Sequence, residues 1–431
     1  MIPTTIETPG RGGKTVVMLA SDFPPSSLPS SIRPRLFASH LARFGWNPIV
    51  VTVRPELYEC PVDPDNERLV AAEVEVIRTG ALPAAVARRF GFGDIGIRSL
   101  GRHWRALRDL AARRQIDLVF ISVPPCVPML LGRLALWRLG IPYVLDYQDP
   151  WVTDAWWKVP AAERPPKWPL AWAMARLLEP WGVGRAAALT GVSMGATDYA
   201  ATLQPGVLRA EIPFGAEPAE FAFLRANPRK NGIFNPADGN IHLVYTGVVI
   251  PGMYPALRVI LQAVRALVEE GETLLRLHFV GTSYGSGHAP KVLPLAAEAG
   301  VVAIVTETPD RVPYLDSLQL LLDSSVLLIA GTDEPHYTPS KVFPYALAEK
   351  PILALVHQAS TASALLRATS GCEAVTFGAE GASPAMVPAV VAHLRMLLRA
   401  PVPAVDSAKL APFTAAAMTG RLADVFNAVV Q

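Results

Sequence analysis

The sequence predicts an α/β protein built from two doubly wound parallel-sheet domains, with a C-terminal helix closing back toward the first. Three observations carry that expectation. Short apolar runs rich in β-branched residues recur along the whole chain. The runs do not alternate apolar with polar residues, as strands buried on both faces of a parallel sheet need not. Amphipathic helical stretches lie between successive runs, which is how a sheet wound on both sides is spaced in sequence.

The first series of runs is TVVMLA from Thr15, NPIVVTV from Asn47, EVEVIRT from Glu73, DLVFISV from Asp117, PYVLDY from Pro142 and AALTGVS from Ala187. The second is IHLVYTG from Ile241, LLRLHFVG from Leu274, GVVAIVT from Gly300, SSVLLIA from Ser324, PILALV from Pro351 and CEAVTF from Cys372. Between the first two runs, Leu36, Phe37, Leu41 and Phe44 recur at helical spacing and Gly45 ends the helix. Residues 221–239 carry two Asn-Pro pairs and read as an interdomain linker. The expected domains are therefore residues 1–220, 221–411 and a closing helix at 412–431, where Phe413, Met418, Leu422, Val425, Phe426 and Val429 share one helical face. Ligands of such sheets bind beyond the carboxyl ends of the strands, which places a site in the cleft that two such domains face.

Composition excludes several classes. Of 431 residues, 51 % are hydrophobic and 18 % charged, so the chain can bury large cores. Lys+Arg 39 against Asp+Glu 37 leaves +2, too little for a dedicated nucleic-acid binder. Cys60, Cys126 and Cys372 are far apart and odd in number, which excludes a disulfide framework and fits a reducing compartment. The mean hydropathy of +0.29 is high, yet no apolar run approaches the ~20 residues of a spanning helix. The polar, Gly-rich start does not resemble a signal peptide. The expected location is cytoplasmic, with peripheral contact at the inner face of a membrane as the open alternative.

Candidate chemistry lies in the loops. Asp22, Ser26 and Ser27 precede a helix carrying Arg33; a Ser-rich loop entering a helix can hold an anion, or be a plain surface loop. Gln148 and Asp149 follow the fifth run, where a carboxylate can orient a hydroxyl or act as a base, or simply make an Asp-Pro turn. Gly247 and Val248 end the first run of the second series, where glycine permits close approach to a phosphate. Glu334, His336, Thr338, Pro339, Ser340 and Lys341 form a helix start, and a cation in a first turn is best explained by an anion docked there. Asp63-Pro64-Asp65 has metal-binding spacing but sits in a polar loop, and no metal is expected. The helix from Ser99 to Arg113, with Arg98, Arg102, Arg105 and Arg108 off its apolar face and Arg88 and Arg89 upstream, reads as a packed helix with a solvated face or as a lipid-facing surface. Trp151, Trp156, Trp157, Trp168, Trp172 and Trp181 read instead as core, an interfacial belt or an exposed acceptor groove, the last favoured by the interleaved Pro and Lys.

These blocks, in order and spacing, resemble the GT-B glycosyltransferases of family 4, in the branch with a Pro-Ser-Lys motif. The resemblance runs through SSIRPRLFASHLARFGWNP from Ser30, DYQDPW from Asp146, LTGVSMG from Leu189, IPFGAEPAEF from Ile212, VYTGV from Val244, HFVGTSY from His278, RVPYLDSL from Arg311 and TPSKVFPYALAEKPILAL from Thr338. It implies two Rossmann-like domains, a nucleotide-sugar donor (UDP- or GDP-sugar) held mainly by the second, and a glycan, lipid-linked or small-molecule acceptor held by the first. It implies retention of configuration, no metal and no resident cofactor. By the same resemblance Gly247, Val248 and residues 338–341 contact the diphosphate, and Val312 and Pro313 border the base. Asp149 and Gln148 face the sugar or acceptor as catalytic residues with Lys341, while Ser26, Ser27 and Arg33 line the phosphate side. The chain departs from the family pattern at the paired glutamates, which fall on His336 and Pro344, with Glu334 the nearest carboxylate. Serines replace the first-loop glycines, and Gln148 replaces an arginine. A non-catalytic or regulatory sugar-nucleotide binder and a nucleotide-sugar epimerase stay open as alternatives.

Overall fold

The computed structural model describes residues 13–89, 93–154, 157, 164, 167–283, 287–333, 340–399 and 407–431. The chain divides into two compact units, Met1–Phe214 with Ala415–Gln431, and Gly215–Thr414.

The first unit is a seven-stranded sheet of β1 (Lys14–Leu19), β2 (Trp46–Val53), β3 (Glu75–Thr79), β4 (Leu118–Val123), β5 (Tyr143–Tyr147), β6 (Ala188–Gly191) and β7 (Leu208–Glu211). Its order is β3-β2-β1-β4-β5-β6-β7, and the pairings are parallel. Successive residues of β1 enter opposite cores. Val17 and Leu19 pack with Leu107, Met129 and Tyr143, while Val16 and Met18 pack with Phe37, Phe120 and Phe426. Both faces are covered, which explains the unbroken apolar runs. The helix Ala415–Val429 supplies Met418, Leu422 and Phe426 to the second of these cores. Phe426 meets Trp46 edge-on at 5.2 Å, and the Trp46 indole donates to Asn427 Oδ1 at 3.1 Å.

The second unit is a six-stranded sheet of β8 (Ile241–Thr246), β9 (Leu275–Val280), β10 (Val305–Thr308), β11 (Val326–Ala330), β12 (Ile352–His357) and β13 (Val375–Phe377). Its order, β10-β9-β8-β11-β12-β13, repeats the topology of the first. In both sheets the strand order reverses beside the first strand, between β1 and β4 and between β8 and β11. That is the switch point at which such sheets open a crevice for ligands.

Three sequence expectations shift. The stretch 221–239 begins inside the helix Pro218–Ala226, where Phe221 and Leu224 are buried, so its apolar residues pack rather than link. β7, reading LRAE, has no apolar run because it is an edge strand with half-exposed residues. The run from Gly300 spends its first residues in a 3-10 turn, Val302–Ile304, before β10 begins.

Candidate active site

In the second unit the carboxyl ends of β8 and β9 come together around two glycines. Gly247 follows β8 with φ +122°, and its N–H donates to Val280 O at 2.8 Å. Gly281 follows β9 with φ +73°; a Cβ there would stand 3.9 Å from Gly247 N and 4.0 Å from Arg311 Cα. The turn carrying Val312 and Pro313 therefore lies against the same strand ends. Val249 N donates to Thr282 O at 3.0 Å and Tyr245 Oη donates to Val248 O at 2.9 Å, so the Gly247-Val248 turn is fixed from both sides. Because the Gly247 N–H is spent on Val280, its contribution to a ligand is room rather than a hydrogen bond.

Lys341 occupies that room. Its Nζ stands 3.7 Å from the centre of the buried Tyr245 ring and 3.1 Å from where a Gly247 Cβ would be. Desolvation alone holds its ammonium down to about 7. Among the described residues no carboxylate is in salt-bridge contact with it. A half-buried cation whose nearest partner among the described residues is a ring is a candidate site for an anion. Lys341 immediately precedes the helix Val342–Ala348 rather than lying in its first turn. That helix is tied back to the strand by Thr246 N, which donates to Tyr345 Oη at 3.0 Å. Burial pushes the Tyr345 phenol up to about 12. Ser340 lies just before Lys341; Glu334, His336, Thr338 and Pro339 lie outside the described residues.

Alanine at Gly247 would put its Cβ against Lys341 in a backbone conformation that disfavours a side chain. Gly247→Ala is expected to weaken binding of an anion at this turn about tenfold, read by titration calorimetry with inorganic diphosphate. An unchanged affinity would remove this turn from the site.

The first unit presents carboxylates at the corresponding strand ends. Asp149 follows β5 at the surface, yet enough protein surrounds its carboxyl that desolvation pushes it up to about 6. Asp22, after β1, is buried, accepts from Ser30 Oγ at 3.1 Å, and is pushed up to about 6 by burial, with Asp94 adding repulsion. Asp94 caps the helix Ile95–Ala111 by accepting from Ile97 N at 3.1 Å, and burial raises it too. Cys126, after β4, is driven well above a free thiol by burial and then by the charges of Asp94, Glu179 and Asp149.

Glu179 is a residue that the sequence reading missed. It is the only acid in the helix Trp168–Val183, buried beneath that helix, where it accepts from Tyr147 Oη at 3.0 Å and Val152 N at 3.2 Å. Burial pushes it from 4.5 up to about 7, against the lowering effect of those two donors. Between those values the native state keeps a proton that the unfolded chain releases, so stability falls as pH rises through the window. Glu179→Gln can keep both partners by accepting from Val152 N and donating to Tyr147 Oη. The variant is therefore expected to gain melting temperature over the wild type progressively from about pH 5 to about pH 8. A difference independent of pH would contradict the buried proton.

Four expected site residues turn out to hold the fold instead. Arg33 is fully buried: its Nε and Nη2 reach Asp146 at 2.7 and 2.8 Å, and its Nη1 donates to Pro213 O at 3.1 Å. Its guanidinium is flanked by Phe37 and Phe214 and has no exposed surface to offer a phosphate. Ser26 is buried with its Oγ 3.4 Å from Cys60 Sγ, and Ser27 Oγ donates to Pro61 O at 2.8 Å, stitching the first loop to the next one. Gln148 donates its amide nitrogen to Ser30 O at 3.2 Å and Ser122 Oγ at 3.1 Å, which pins a helix start to a strand end. Asp63 accepts from Asp65 N and caps a 3-10 turn, which accounts for that motif. No group of three metal-ligating side chains occurs among the described residues.

Comparison with known proteins agrees with this architecture. The fold is GT-B, two parallel-sheet Rossmann-like units. Anabaena HepE, solved with UDP and glucose, superposes with TM-score 0.55 at 13 % identity over 95 % of each chain. A UDP-forming α,α-trehalose-phosphate synthase from Burkholderia xenovorans gives 0.60 at 10 % identity over 97 % of this chain and 100 % of that one. A UDP-GlcNAc 2-epimerase from Methanocaldococcus jannaschii gives 0.52 at 11 % identity over 96 % and 99 %. No curated protein sequence matches. Residues 32–214 match the glycosyl transferase 4-like domain. Within a chain whose fold is GT-B, residues 32–214 are thus similar to the glycosyl transferase 4-like domain.

Proposed function

We propose that this protein is a glycosyltransferase that moves a hexose from a nucleotide-diphosphate sugar, UDP- or GDP-linked, to a glycan, lipid-linked or small-molecule acceptor. The observation that carries the reading is Lys341: a desolvated ammonium against Gly247 at the switch point of the second sheet. A diphosphate docking there would recover the charge that burial suppresses, and would be stabilised as it leaves. The Lys341 cation takes the place of a metal. Asp149, its carboxyl raised to about 6, positions the acceptor, which attacks the sugar on the face the phosphate leaves while that phosphate takes the acceptor proton, so configuration is retained.

The HepE complex with UDP and glucose and the UDP-forming synthase lend support by analogy of fold. The epimerase has the same architecture, so transfer must be separated from donor isomerisation directly. A melting panel with UDP-, GDP-, ADP- and TDP-sugars, followed by mass spectrometry of products with chelator present, does so. Stabilisation by UDP- or GDP-sugar with product formed only when acceptor is added supports the transferase. Turnover without acceptor supports an epimerase. Pro344, standing where relatives carry a glutamate, favours a second reading as a non-catalytic sugar-nucleotide binder, which predicts stabilisation with no product. We further propose peripheral contact at the cytoplasmic face of a membrane; no helix among the described residues is long and apolar enough to cross one.

A further inference from the structure

Two helices of the first unit, Met129–Leu139 and Trp168–Val183, leave an outward face that the fold does not cover. Their inner sides are closely packed. A Cβ on Gly132 would fall 2.3 Å from the Tyr143 ring and one on Gly182 would fall 2.8 Å from Met129 Sδ, while Tyr143 Oη donates to Gly182 O at 2.6 Å. Their outer sides are apolar to an unusual degree. Leu177 is 76 % exposed, Trp137 69 %, Leu170 64 % and Trp181 42 %. Monomeric proteins rarely leave such side chains together in water.

The exposed charges that the two helices themselves carry are of one sign. The two helices carry Arg133, Arg138 and Arg176, and their only acid, Glu179, is buried on the inner side. Each arginine lies over a tryptophan: Arg138 over Trp137 at 4.3 Å, Arg133 over Trp181 at 5.4 Å, and Arg176 over Trp172 at 5.2 Å. Alongside, Arg164 covers Trp157 at 5.4 Å. Asp154 is exposed beside them and accepts from the Trp172 indole at 3.1 Å, but the arginines outnumber it, and tryptophan with arginine at the water boundary and leucine beyond it matches the layered chemistry of an anionic bilayer surface.

The arginine face expected from sequence on the helix Ile95–Ala111 differs in kind. Arg98 is buried and paired with Glu59, which also holds Arg88. Arg105 and Arg108 both reach Asp109. Acids within the same surface offset that charge, so it offers a membrane little net attraction.

We infer that the exposed face of the helices Met129–Leu139 and Trp168–Val183 docks the protein on an anionic lipid bilayer, with Leu170, Leu177, Trp137 and Trp181 entering the headgroup region and Arg133, Arg138 and Arg176 meeting lipid phosphates. This gives a location to the peripheral contact proposed above and rests on that reading alone; it does not depend on the donor site.

Vesicle flotation tests it, using phosphatidylcholine alone and phosphatidylcholine with about one-third phosphatidylglycerol. The wild type is expected to float with the anionic vesicles at low salt and to be released by high salt. Leu170→Glu/Leu177→Glu is expected to reduce that partition about tenfold or more, with melting temperature unchanged because both side chains are exposed. Met396→Glu, on an exposed residue of the second unit, serves as the control and should float like the wild type. Failure of the wild type to float, equal flotation of the double variant, or equal binding to neutral vesicles would overturn the proposal. So would a wild-type dimer in sedimentation that the double variant abolishes, since the face would then belong to a second copy. Nucleotide-sugar stabilisation measured without vesicles reports the donor site separately, so either reading can fail while the other stands.

Discussion

On the proposed transferase reading, Lys341→Ala is expected to lower kcat/KM for glycosyl transfer by about 100-fold or more, the loss that follows when one preorganised charge is removed from a developing anion. Among the described residues the side chain has no hydrogen bond or ion pair to lose, since its Nζ lies over the Tyr245 ring and against Gly247, so melting temperature should change little or rise slightly. Desolvation also makes a pH prediction. With the free ammonium held down to about 7, Lys341 is neutral in the empty protein at higher pH and must take up a proton when a diphosphate binds. Donor affinity is then level below about 7 and weakens above it, and UDP binding at about pH 8 should take up close to one proton. Calorimetry in buffers of different ionisation enthalpy measures that uptake directly, and the alanine variant should show none of it. Wild-type kinetics in the variant, or binding without proton uptake, would take Lys341 out of the donor site.

Asp146→Ala should destabilise the first unit by about 3–5 kcal/mol, because it strands the Arg33 guanidinium in a dry interior. It also removes the acceptor of Thr190 Oγ1, which donates to Asp146 at 2.6 Å. Arg33→Met/Asp146→Leu should recover most of the loss, since an apolar pair in the same space carries no desolvation penalty. All nine tryptophans fall in residues 46–181, so denaturant curves followed by tryptophan emission report this unit alone. Equal destabilisation by the single and double changes would show that packing, not the stranded charge, sets the cost.

The contrast between these two residues explains what sequence could convey. Arginine 33 and lysine 341 each sit in a loop-to-helix region that resembles the same family, and residue type alone assigns both to phosphate. What separates them is a partner 113 residues away: Asp146 on β5 claims Arg33, while among the described residues no acid is paired with Lys341. Such pairing is set by which strands adjoin, and the parallel order β1-β4-β5 is invisible in local pattern. The strands themselves were legible, because burial on both faces writes itself as an unbroken apolar run. The edge strand β7 was not, since half its surface meets water. Glu179 stood out only as a lone acid in an apolar helix, and its depth under that helix needed the packing of Tyr147 and Val152 to be seen.

The tryptophan–phenylalanine contact between β2 and the helix Ala415–Val429 has a consequence for how the protein is made. The first 214 residues contain every strand of their sheet but lack Met418, Leu422 and Phe426, which wall one of its two cores. During synthesis that sheet must wait with Trp46, Phe120 and Val50 uncovered while the whole second unit is translated, and only then can it close. A nascent chain of this kind is most vulnerable in the middle of its own production, and a chaperone that holds exposed apolar sheet would have its longest engagement there.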